Sequence, residues 1–344
     1  MHSEDGPVYD VHAHYLPREA LDHMGVGRAV VRLAPWCGVD EHITLNGMPV
    51  GSTIEQLSSV DSMLETMART GIDIRVVSPP PFTYRYWSDP QDSLRLCQLL
   101  NDSTAALVAE HPTKFVGLCT VPLQDPDLAL AEFTRARDQL GLTGVTLGTN
   151  VDGRNLSDPA LRAFLAAVVE RDAPVLVHPD FVPNDRLARH YLLNLVGMPT
   201  ETATTLANLI LSGALAALPD LRICFVHGGG STPYLFGRLN KGWQVRPETR
   251  EFTPDPPDRY LTNVFFDSLT HSPQALRYLV DVVGADHVVI GTDSPFDVED
   301  TAPLRHLARV VGLTAAETEA ITRTTALRWL HGDRAPSTPE KESV

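Results

Sequence analysis

Short apolar runs alternate with longer amphipathic segments along most of the chain. Each run is rich in β-branched residues, which is typical of buried strands. Between the runs, apolar side chains recur at the spacing of a helix that buries one face. This alternation predicts a parallel sheet covered by helices. Eight runs are recognised, at residues 8–12, 72–77, 115–120, 144–147, 175–178, 223–227, 264–267 and 288–292.

Four of the amphipathic segments begin with a capping residue that is followed directly by proline. The capping residues are Asp89, Asp125, Asp158 and Ser272. Their side chains can accept hydrogen bonds from the free backbone amides of a first turn, and proline fits the first helical position because it lacks an amide proton. The four positions therefore predict helix N-termini.

Eight strands with their helices fit an α/β fold of the (β/α)₈ TIM-barrel type. A doubly wound open sheet is the structural alternative. We expect residues 1–332 to form this barrel as a single domain. Residues 333–344 are polar and contain proline, which predicts a flexible tail.

Three segments are longer than the repeating strand–helix units require. They are residues 15–54, 181–200 and 240–262. In the first of them, Asn46 and Gly47 form a dipeptide that is typical of a tight hairpin turn. We therefore expect a small hairpin insertion after strand 1, at about residues 15–54.

The acidic balance of the chain limits its partners. Its 344 residues carry 43 Asp and Glu against 28 Lys and Arg, a formal net charge of −15 at pH 7. Such a charge repels both nucleic-acid backbones and anionic membrane surfaces. The first residues lack the apolar core of a signal peptide, and no apolar stretch is long enough to span a membrane. We therefore expect a cytoplasmic enzyme that acts on a small molecule, without nucleic-acid or membrane partners.

Five side chains of metal-binding types stand at predicted strand ends. His12 and His14 lie two positions apart on strand 1, so both point to the same side of the sheet. His178, His227 and Asp293 end strands 5, 6 and 8. In a barrel these ends meet at the face where active sites are built. Imidazoles with one carboxylate suit a divalent ion such as Zn²⁺, with one coordination position left open for catalysis.

The lysines favour one metal ion per chain. A second ion in such a barrel commonly needs a carbamylated lysine at the end of strand 4, and none of Lys114, Lys241 and Lys341 lies there. His227 precedes three glycines that bring the backbone close, so we assign it to acid/base catalysis. A serine esterase and a dinucleotide-binding enzyme are disfavoured, because the sequence has neither a G-x-S-x-G nor a G-x-G-x-x-G motif.

The motifs around these residues resemble the amidohydrolase superfamily, and within it the group typified by aminocarboxymuconate-semialdehyde decarboxylase. The resemblance extends over residues 8–330 and is carried by YDVHAHYLP, FVGLCTVPLQDPDLAL, LVGMPTET, CFVHGGGSTPYLFGRL and IGTDSPF. It implies non-oxidative loss of carbon dioxide from an aromatic or unsaturated acid. It also implies a set of residues with defined roles: zinc bound by His12, His14, His178 and Asp293, and a metal-bound water activated by His227.

The resemblance further implies a homodimer in which Arg238 enters the pocket of the neighbouring subunit and holds a substrate carboxylate. If residues 232–242 are helical, Arg238 lies roughly 10 to 15 Å along the helix from the end of strand 6, at about 1.5 Å per residue. This distance is too long for easy reach of its own metal. We therefore expect Arg238 to act in trans.

The chain departs from the family pattern in the substrate pocket. The family's second substrate-binding arginine aligns with Gly51, and no Arg or Lys occurs between Arg32 and Arg69. Asp180 and Asn194 stand where the family has tryptophans. A dicarboxylate would therefore meet one cation fewer, so we expect a substrate other than the namesake's. The substrate contacts are assigned to Arg238, Asp180, Phe181 and Asn194.

Two reaction classes fit these residues. The first is a zinc-dependent decarboxylase in which His227 or Asp293 supplies the proton to carbon. The alternative is a zinc-dependent hydrolase or cyclising dehydratase that acts on an aromatic amide, ester or imidate with the same ligands. A metal-binding protein without catalytic activity is the third interpretation.

Overall fold

A computed structural model describes residues 6–25, 27, 30–36, 39–180, 182 and 184–332. Its central feature is a sheet of eight parallel strands whose spatial order follows their order in the chain. We number these barrel strands β1 to β8: Tyr9–His14, Ile74–Ser78, Phe115–Cys119, Gly144–Leu147, Val175–Val177, Ile223–Phe225, Val264–Asp267 and Val288–Val289.

The last strand returns to the first, so the sheet forms a nearly closed barrel. The amide of Val11 donates to the carbonyl of Ile290 at 2.8 Å, and that of Asp293 donates to the carbonyl of His12 at 2.8 Å. Buried Asp10 also accepts a 2.7 Å hydrogen bond from the hydroxyl of Thr292. The predicted (β/α)₈ barrel is confirmed, and the doubly wound alternative is wrong because an open sheet would leave these two edges apart.

Helices connect the strands and cover the outside of the barrel. At each of the four predicted starts, the capping side chain accepts a backbone amide hydrogen bond and proline follows, so these predictions are confirmed. The α-helices of the described residues, α1 to α12, are Ile54–Ser58, Val60–Thr70, Pro90–Glu110, Pro126–Asp138, Pro159–Glu170, Met198–Leu211, Ala214–Ala217, Thr232–Val245, Pro273–Val283, Pro303–Leu307, Ala315–Glu319 and Thr325–His331.

Shorter helical turns join these elements. The 3-10 turns are Arg18–His23, Pro81–Thr83, Asp185–Leu187, His227–Gly229, Pro247–Thr249, Pro257–Tyr260 and Ala285–His287. Two segments, Leu193–Gly197 and Ala320–Thr324, form π-helical turns.

Two strands end two or three residues earlier than the apolar pattern predicts. The predicted strands at residues 223–227 and 288–292 are observed as Ile223–Phe225 and Val288–Val289. Beyond these ends, His227 and Asp293 adopt left-handed conformations with φ of 57° and 60°. Both residues therefore lie on loops just beyond the strand ends.

The insertion after β1 forms a three-stranded antiparallel sheet, which we call the flap. Its strands are Val31–Trp36, Val39–Leu45 and Met48–Thr53. Asn46 and Gly47 both have positive φ, 52° and 81°, as a type I′ turn requires, so the predicted hairpin is confirmed. The flap packs on the barrel in an apolar cluster that includes Phe82 and Phe296.

The end of the barrel at which the strands begin is closed by apolar packing. Trp329 of α12 is fully buried together with interior residues of the strands such as Val76, Leu176 and Val289. Its indole nitrogen donates to the carbonyl of Val175 at 3.3 Å. In the part of the chain that the structure describes, no helix is long and apolar enough to cross a membrane. The predicted tail at 333–344 lies outside the described residues.

Candidate metal centre

The carboxyl ends of the barrel strands bring five polar side chains into one cluster. His12 and His14 point into the barrel from β1, as their spacing predicts, and are 0% and 1% exposed. His178 follows β5, His227 follows β6, and Asp293 lies beyond β8. The imidazole rings lie close together. Their centroids are, for example, 5.3 Å apart between His12 and His14 and 5.2 Å apart between His178 and His227.

Three of the imidazoles face the same carboxylate oxygen. The Nε2 atoms of His12, His14 and His178 lie 3.2, 3.0 and 3.8 Å from Oδ1 of Asp293. Ligands about 2.1 Å from a metal at tetrahedral or octahedral angles are about 3.0 to 3.4 Å from one another. One ligand atom from each of these four residues falls within 4.8 Å of the others, so the group could hold a metal ion.

Hydrogen bonds to two of the imidazoles leave their Nε2 lone pairs free for a metal. Nδ1 of His12 lies 2.7 Å from Oδ2 of Asp267, and Nδ1 of His178 lies 2.7 Å from the carbonyl of Pro179. Only a protonated Nδ1 can donate to these oxygens, which places the lone pair on Nε2. Both Nε2 atoms are buried and have no hydrogen-bond partner in the structure. Unpaired buried acceptors that face a carboxylate fit a cation site.

The electrostatics of the cluster also favour a bound cation. Burial lowers the pKa of His12, but the carboxylates of Asp293 and Asp267 outweigh it and raise that pKa to about 10. In His14 and His178 the effect of burial exceeds that of Asp293. Burial lowers the pKa of His14 and brings that of His178 to about 3. Burial raises the pKa of Asp293, yet the three histidines hold it well below its usual range. Neutral His14 and His178 and an ionised Asp293 are already in the forms that ligate metals. The carboxylates that attract a proton to His12 attract a metal cation equally, and a bound cation would replace the proton on Nε2.

His227 occupies a different position from the other three imidazoles. Its Nε2 is 3.6 Å from Oδ2 of Asp293, the oxygen opposite the one that the other histidines face. It starts a tight turn in which Gly230 has a φ of 61°, and a Cβ on this glycine would lie 2.0 Å from the carbonyl of Pro199. The glycine therefore allows the backbones to approach closely enough to place His227 at the wall of a cavity.

A cavity of about 440 Å³ opens from the cluster toward the surface. Asp293 and His227 line its inner end, and Tyr234 and Tyr278 line it together with apolar residues such as Met198 and Leu269. No arginine or lysine is among the lining residues that the structure describes. Such a cavity can accept an aromatic ring next to a metal.

Of the predicted substrate contacts that the structure describes, one lines the cavity and two do not. Asn194 lines the cavity, and its amide contacts the sulfur of Met198 at 3.7 Å. Asp180 is half-buried and lies outside the cavity lining. Arg238 is exposed on α8 and does not line the cavity of its own chain. Phe181 lies outside the described residues.

Comparison with known proteins identifies the family. An amidohydrolase family model matches residues 9–332. The chain belongs to the amidohydrolase family. It is 33% identical to the 2-amino-3-carboxymuconate-6-semialdehyde decarboxylase of Dictyostelium discoideum, over 93% of this chain and 90% of that protein. It is also 25% identical to the 2-keto-4-carboxy-3-hexenedioate hydratase of a Sphingobium species, over 67% of this chain and 68% of that protein.

Solved structures of similar fold include enzymes of aromatic acids. The IDCase of Metarhizium anisopliae has a TM-score of 0.84 at 23% identity, covering 96% of this chain and 98% of that one. The 5-carboxyvanillate decarboxylase of Novosphingobium aromaticivorans, complexed with manganese and 4-hydroxy-3-methoxy-5-nitrobenzoic acid, has a TM-score of 0.81 at 23% identity, covering 95% and 97%. At this identity both likenesses support the fold alone.

Three further polar residues near the cluster are absent from the sequence prediction. Asp267 ends β7, and an acidic residue at the carboxyl end of a barrel strand is a signal that could have identified it. Tyr191 and Asp297 form a hydrogen bond of 3.2 Å near the cluster. These two are 106 positions apart, each in a connecting segment outside the strands and α-helices, so no local sequence signal connects them.

Proposed function

We propose that this protein is a metal-dependent, non-oxidative decarboxylase of an aromatic or unsaturated carboxylic acid, with Zn²⁺ as its single metal ion. One observation carries the proposal: three imidazoles surround one oxygen of Asp293 while His227 faces the other at the wall of a cavity. The likeness to a decarboxylase over 93% of the chain supports the reaction class. We also propose a cytoplasmic location and a single catalytic domain over residues 1–332.

Four side chains have the role of metal ligands in this proposal: His12, His14, His178 and Asp293. A divalent ion held there would withdraw electron density from the substrate carboxylate and from an adjacent oxygen or nitrogen. Asp267 fixes the ring of His12 by accepting the hydrogen bond from Nδ1. The apolar residues of the cavity wall would contact the ring or chain of the substrate.

Decarboxylation requires one proton at the carbon that loses carbon dioxide. The carbon–carbon bond breaks, its electron pair stays on the substrate carbon, and that carbon takes a proton in place of the departing group. His227 is the proton donor in our proposal because it lines the cavity and its Nε2 lies 3.6 Å from Oδ2 of Asp293. Asp293 accepts a hydrogen bond from the protonated imidazole and keeps it in place, and the imidazole takes its next proton from solvent that enters the open cavity.

We propose that Arg238 completes the site of a second subunit in a homodimer. Tyr234 lines the cavity from α8 and is 78% exposed, and Arg238 follows it one helical turn later, also exposed. Leu195 and Val196, 55% and 46% exposed, extend the apolar surface beside the cavity. A second copy seated there would cover this surface and bring an arginine to a cavity whose described lining includes none.

Mixing two inactive variants tests this arrangement. Chains with Arg238→Ala and chains with His227→Ala should each be inactive, but a mixed dimer has one site with both residues intact. With random exchange at equal concentrations about half of the dimers are mixed, so about a quarter of the parent activity should return. If mixed dimers form and activity does not return, Arg238 does not act in trans.

The reaction class is tested by measuring the products. The zinc-loaded protein is incubated with a panel of hydroxy- and amino-substituted benzoic acids, and released carbon dioxide is measured together with the ring product. Equal amounts of both, abolished by a chelator and restored by Zn²⁺, are expected. A protein that holds one metal per chain and releases no carbon dioxide from any acid would contradict the proposal.

A hydrolase, hydratase or cyclising dehydratase is the second candidate. The similarity to a hydratase favours keeping it, because that relative is named for addition of water and not for loss of carbon dioxide. Addition or loss of water without release of gas, on aromatic amides, esters or imidates, would identify this class. The same ligands would serve both reactions.

A further inference from the structure

Three N–H groups from different parts of the chain point at the carboxylate of Asp267, at the end of β7. Nδ1 of His12 lies 2.7 Å from Oδ2. The backbone amides of Gly228 and Leu269 donate to Oδ1 at 2.7 Å and 3.1 Å. The residue is fully buried. Its two oxygens therefore hold two different parts of the site, a candidate metal ligand on β1 and the glycine turn that follows β6.

The contact with Oδ1 fixes the peptide unit that follows His227. This planar unit runs from Cα of His227 through the amide of Gly228, so holding the amide also holds the carbon from which the imidazole projects. Both residues have left-handed backbone, with φ of 57° and 59°, which a residue with a side chain rarely adopts. Such a conformation persists when the surrounding structure compensates its cost. A 2.7 Å hydrogen bond to a buried carboxylate supplies that compensation.

The imidazole of His227 depends on this backbone for its place. Its Nε2 faces Oδ2 of Asp293, and both residues line the cavity. Its Nδ1 is buried and, among the described residues, has no hydrogen-bond partner. No contact at Nδ1 therefore anchors the ring, and the turn sets the direction from which the ring approaches Asp293.

Glycines allow the close packing on both sides of the carboxylate. A Cβ on Gly228 would lie 2.9 Å from Cγ2 of Thr270, in the loop that follows Asp267. A Cβ on Gly291, beyond β8, would lie 2.9 Å from Oδ2 of Asp267 and 2.9 Å from Cβ of His12. The absence of both Cβ atoms leaves room for the carboxylate between the turn and the metal ligand.

We propose that Asp267 is a positioning residue with two separate tasks: Oδ2 orients the ring of His12 for the metal, and Oδ1 holds the turn that directs His227 toward the substrate. The inference rests on the proposed function, in which His227 donates the proton to carbon. It predicts that zinc affinity and the turnover number of the zinc-loaded enzyme depend on different oxygens of one carboxylate.

Asparagine separates the two tasks. Its side chain keeps one acceptor oxygen and replaces the other with an NH₂ group that only donates. Two amides compete with one imidazole for that oxygen, so we expect it to stay with the amides. The NH₂ group then meets Nδ1 of His12, and a histidine that accepts a hydrogen bond there carries its proton on Nε2, where the metal should bind. Asp267→Asn should therefore lower zinc affinity by about 10 to 100-fold and keep turnover at saturating Zn²⁺ within about threefold of the parent.

Alanine removes both acceptors. Asp267→Ala should lose zinc affinity to the same extent, and its turnover at saturating Zn²⁺ should also fall, by about 10 to 100-fold, because His227 is no longer held in place. Competition with a chelator measures the affinity, and carbon dioxide release from an acid that the parent decarboxylates measures the turnover. Asp127→Ala removes an exposed carboxylate at the start of α4 and should change neither quantity. If the alanine variant does not fold, Asp267→Leu takes its place, because leucine fills the space of the carboxylate without offering an acceptor.

A double-mutant cycle shows whether the loss of turnover passes through His227. In the His227→Ala background, adding Asp267→Ala should lower turnover at saturating Zn²⁺ by less than about twofold, because no imidazole is left to be displaced. Crystal structures of the zinc-loaded variants give a measurement that does not depend on activity. The peptide unit between His227 and Gly228 should be displaced in Asp267→Ala and remain in place in Asp267→Asn.

The inference and the proposed function fail in different ways. Equal turnover of Asp267→Asn and Asp267→Ala at saturating Zn²⁺ would show that Asp267 acts only through the metal, and would overturn the inference. A full additional loss in the His227→Ala background would overturn it as well, because the loss would not depend on His227. If no acid releases carbon dioxide, the proposed function is wrong and the crystal structures decide: a turn displaced only in Asp267→Ala supports the inference, and a turn in place in both variants overturns it.

Discussion

The two ends of the barrel are both buried, but they are built from opposite kinds of side chain. At the carboxyl ends of the strands, four imidazoles and Asp293 face one another with unpaired nitrogens. At the other end, Trp329 and aliphatic side chains fill the interior. Burying polar groups without partners costs free energy, whereas burying an indole stabilises the fold.

The difference shows that strained backbone and unpaired buried polar groups are concentrated at the end that holds the candidate metal site. Left-handed backbone at His227 and Asp293, and at His190 and Tyr191, occurs around the polar end. The apolar end is held by ordinary packing around Trp329. Substitutions at the polar end should therefore change function much more than stability, and substitutions at the apolar end should do the reverse.

The largest effect on function is expected from His14→Ala. Its imidazole is one of four candidate ligands, so the variant loses one of the four bonds that hold the metal. Metal content after dialysis should fall from one ion per chain to nearly none, with activity reduced by at least about 10³-fold. Elemental analysis and the rate of carbon dioxide release measure both. Full metal content in the variant would remove His14 from the ligand set.

His227→Ala should separate catalysis from metal binding. Because His227 faces Oδ2 of Asp293 instead of the oxygen shared by the other three histidines, the metal should remain. Turnover should fall by about 10² to 10⁴-fold, the usual contribution of a positioned acid or base. Metal analysis of the same preparation is the control. Loss of metal in parallel with activity would make His227 a ligand.

Asp267→Asn should have an intermediate effect. Its carboxylate orients His12 through a 2.7 Å hydrogen bond, and loss of such a partner commonly weakens metal affinity by about 10 to 100-fold. Titration against a competing chelator measures this affinity. Activity at saturating Zn²⁺ should recover more fully than in His14→Ala. An unchanged affinity would show that the hydrogen bond does not support the metal.

Trp329→Phe should have the smallest effect on function. The change removes part of a fully buried ring and the 3.3 Å hydrogen bond to Val175, so the free energy of unfolding should fall by about 1 to 3 kcal/mol. Denaturant unfolding with and without Zn²⁺ measures the loss. Turnover at 25 °C should equal that of the parent. A changed turnover number would show that the two ends of the barrel are coupled.

The sequence by itself determined the features that depend on local patterns. The four capped helix starts, the order of the eight strands and the Asn46–Gly47 turn follow from propensities that act within a few residues. The period of two on β1 was enough to place His12 and His14 on one side. Strand ends then indicated that His178, His227 and Asp293 would meet them.

Only the tertiary structure decided how these groups face one another. The contact of His12 with Asp267 joins residues 255 positions apart, and that of Tyr191 with Asp297 joins residues 106 apart. Which oxygen of Asp293 each imidazole faces depends on side-chain rotations and on loops with left-handed residues. Such distances arise from the packing of the whole barrel, because no local propensity constrains atoms that far apart in the chain.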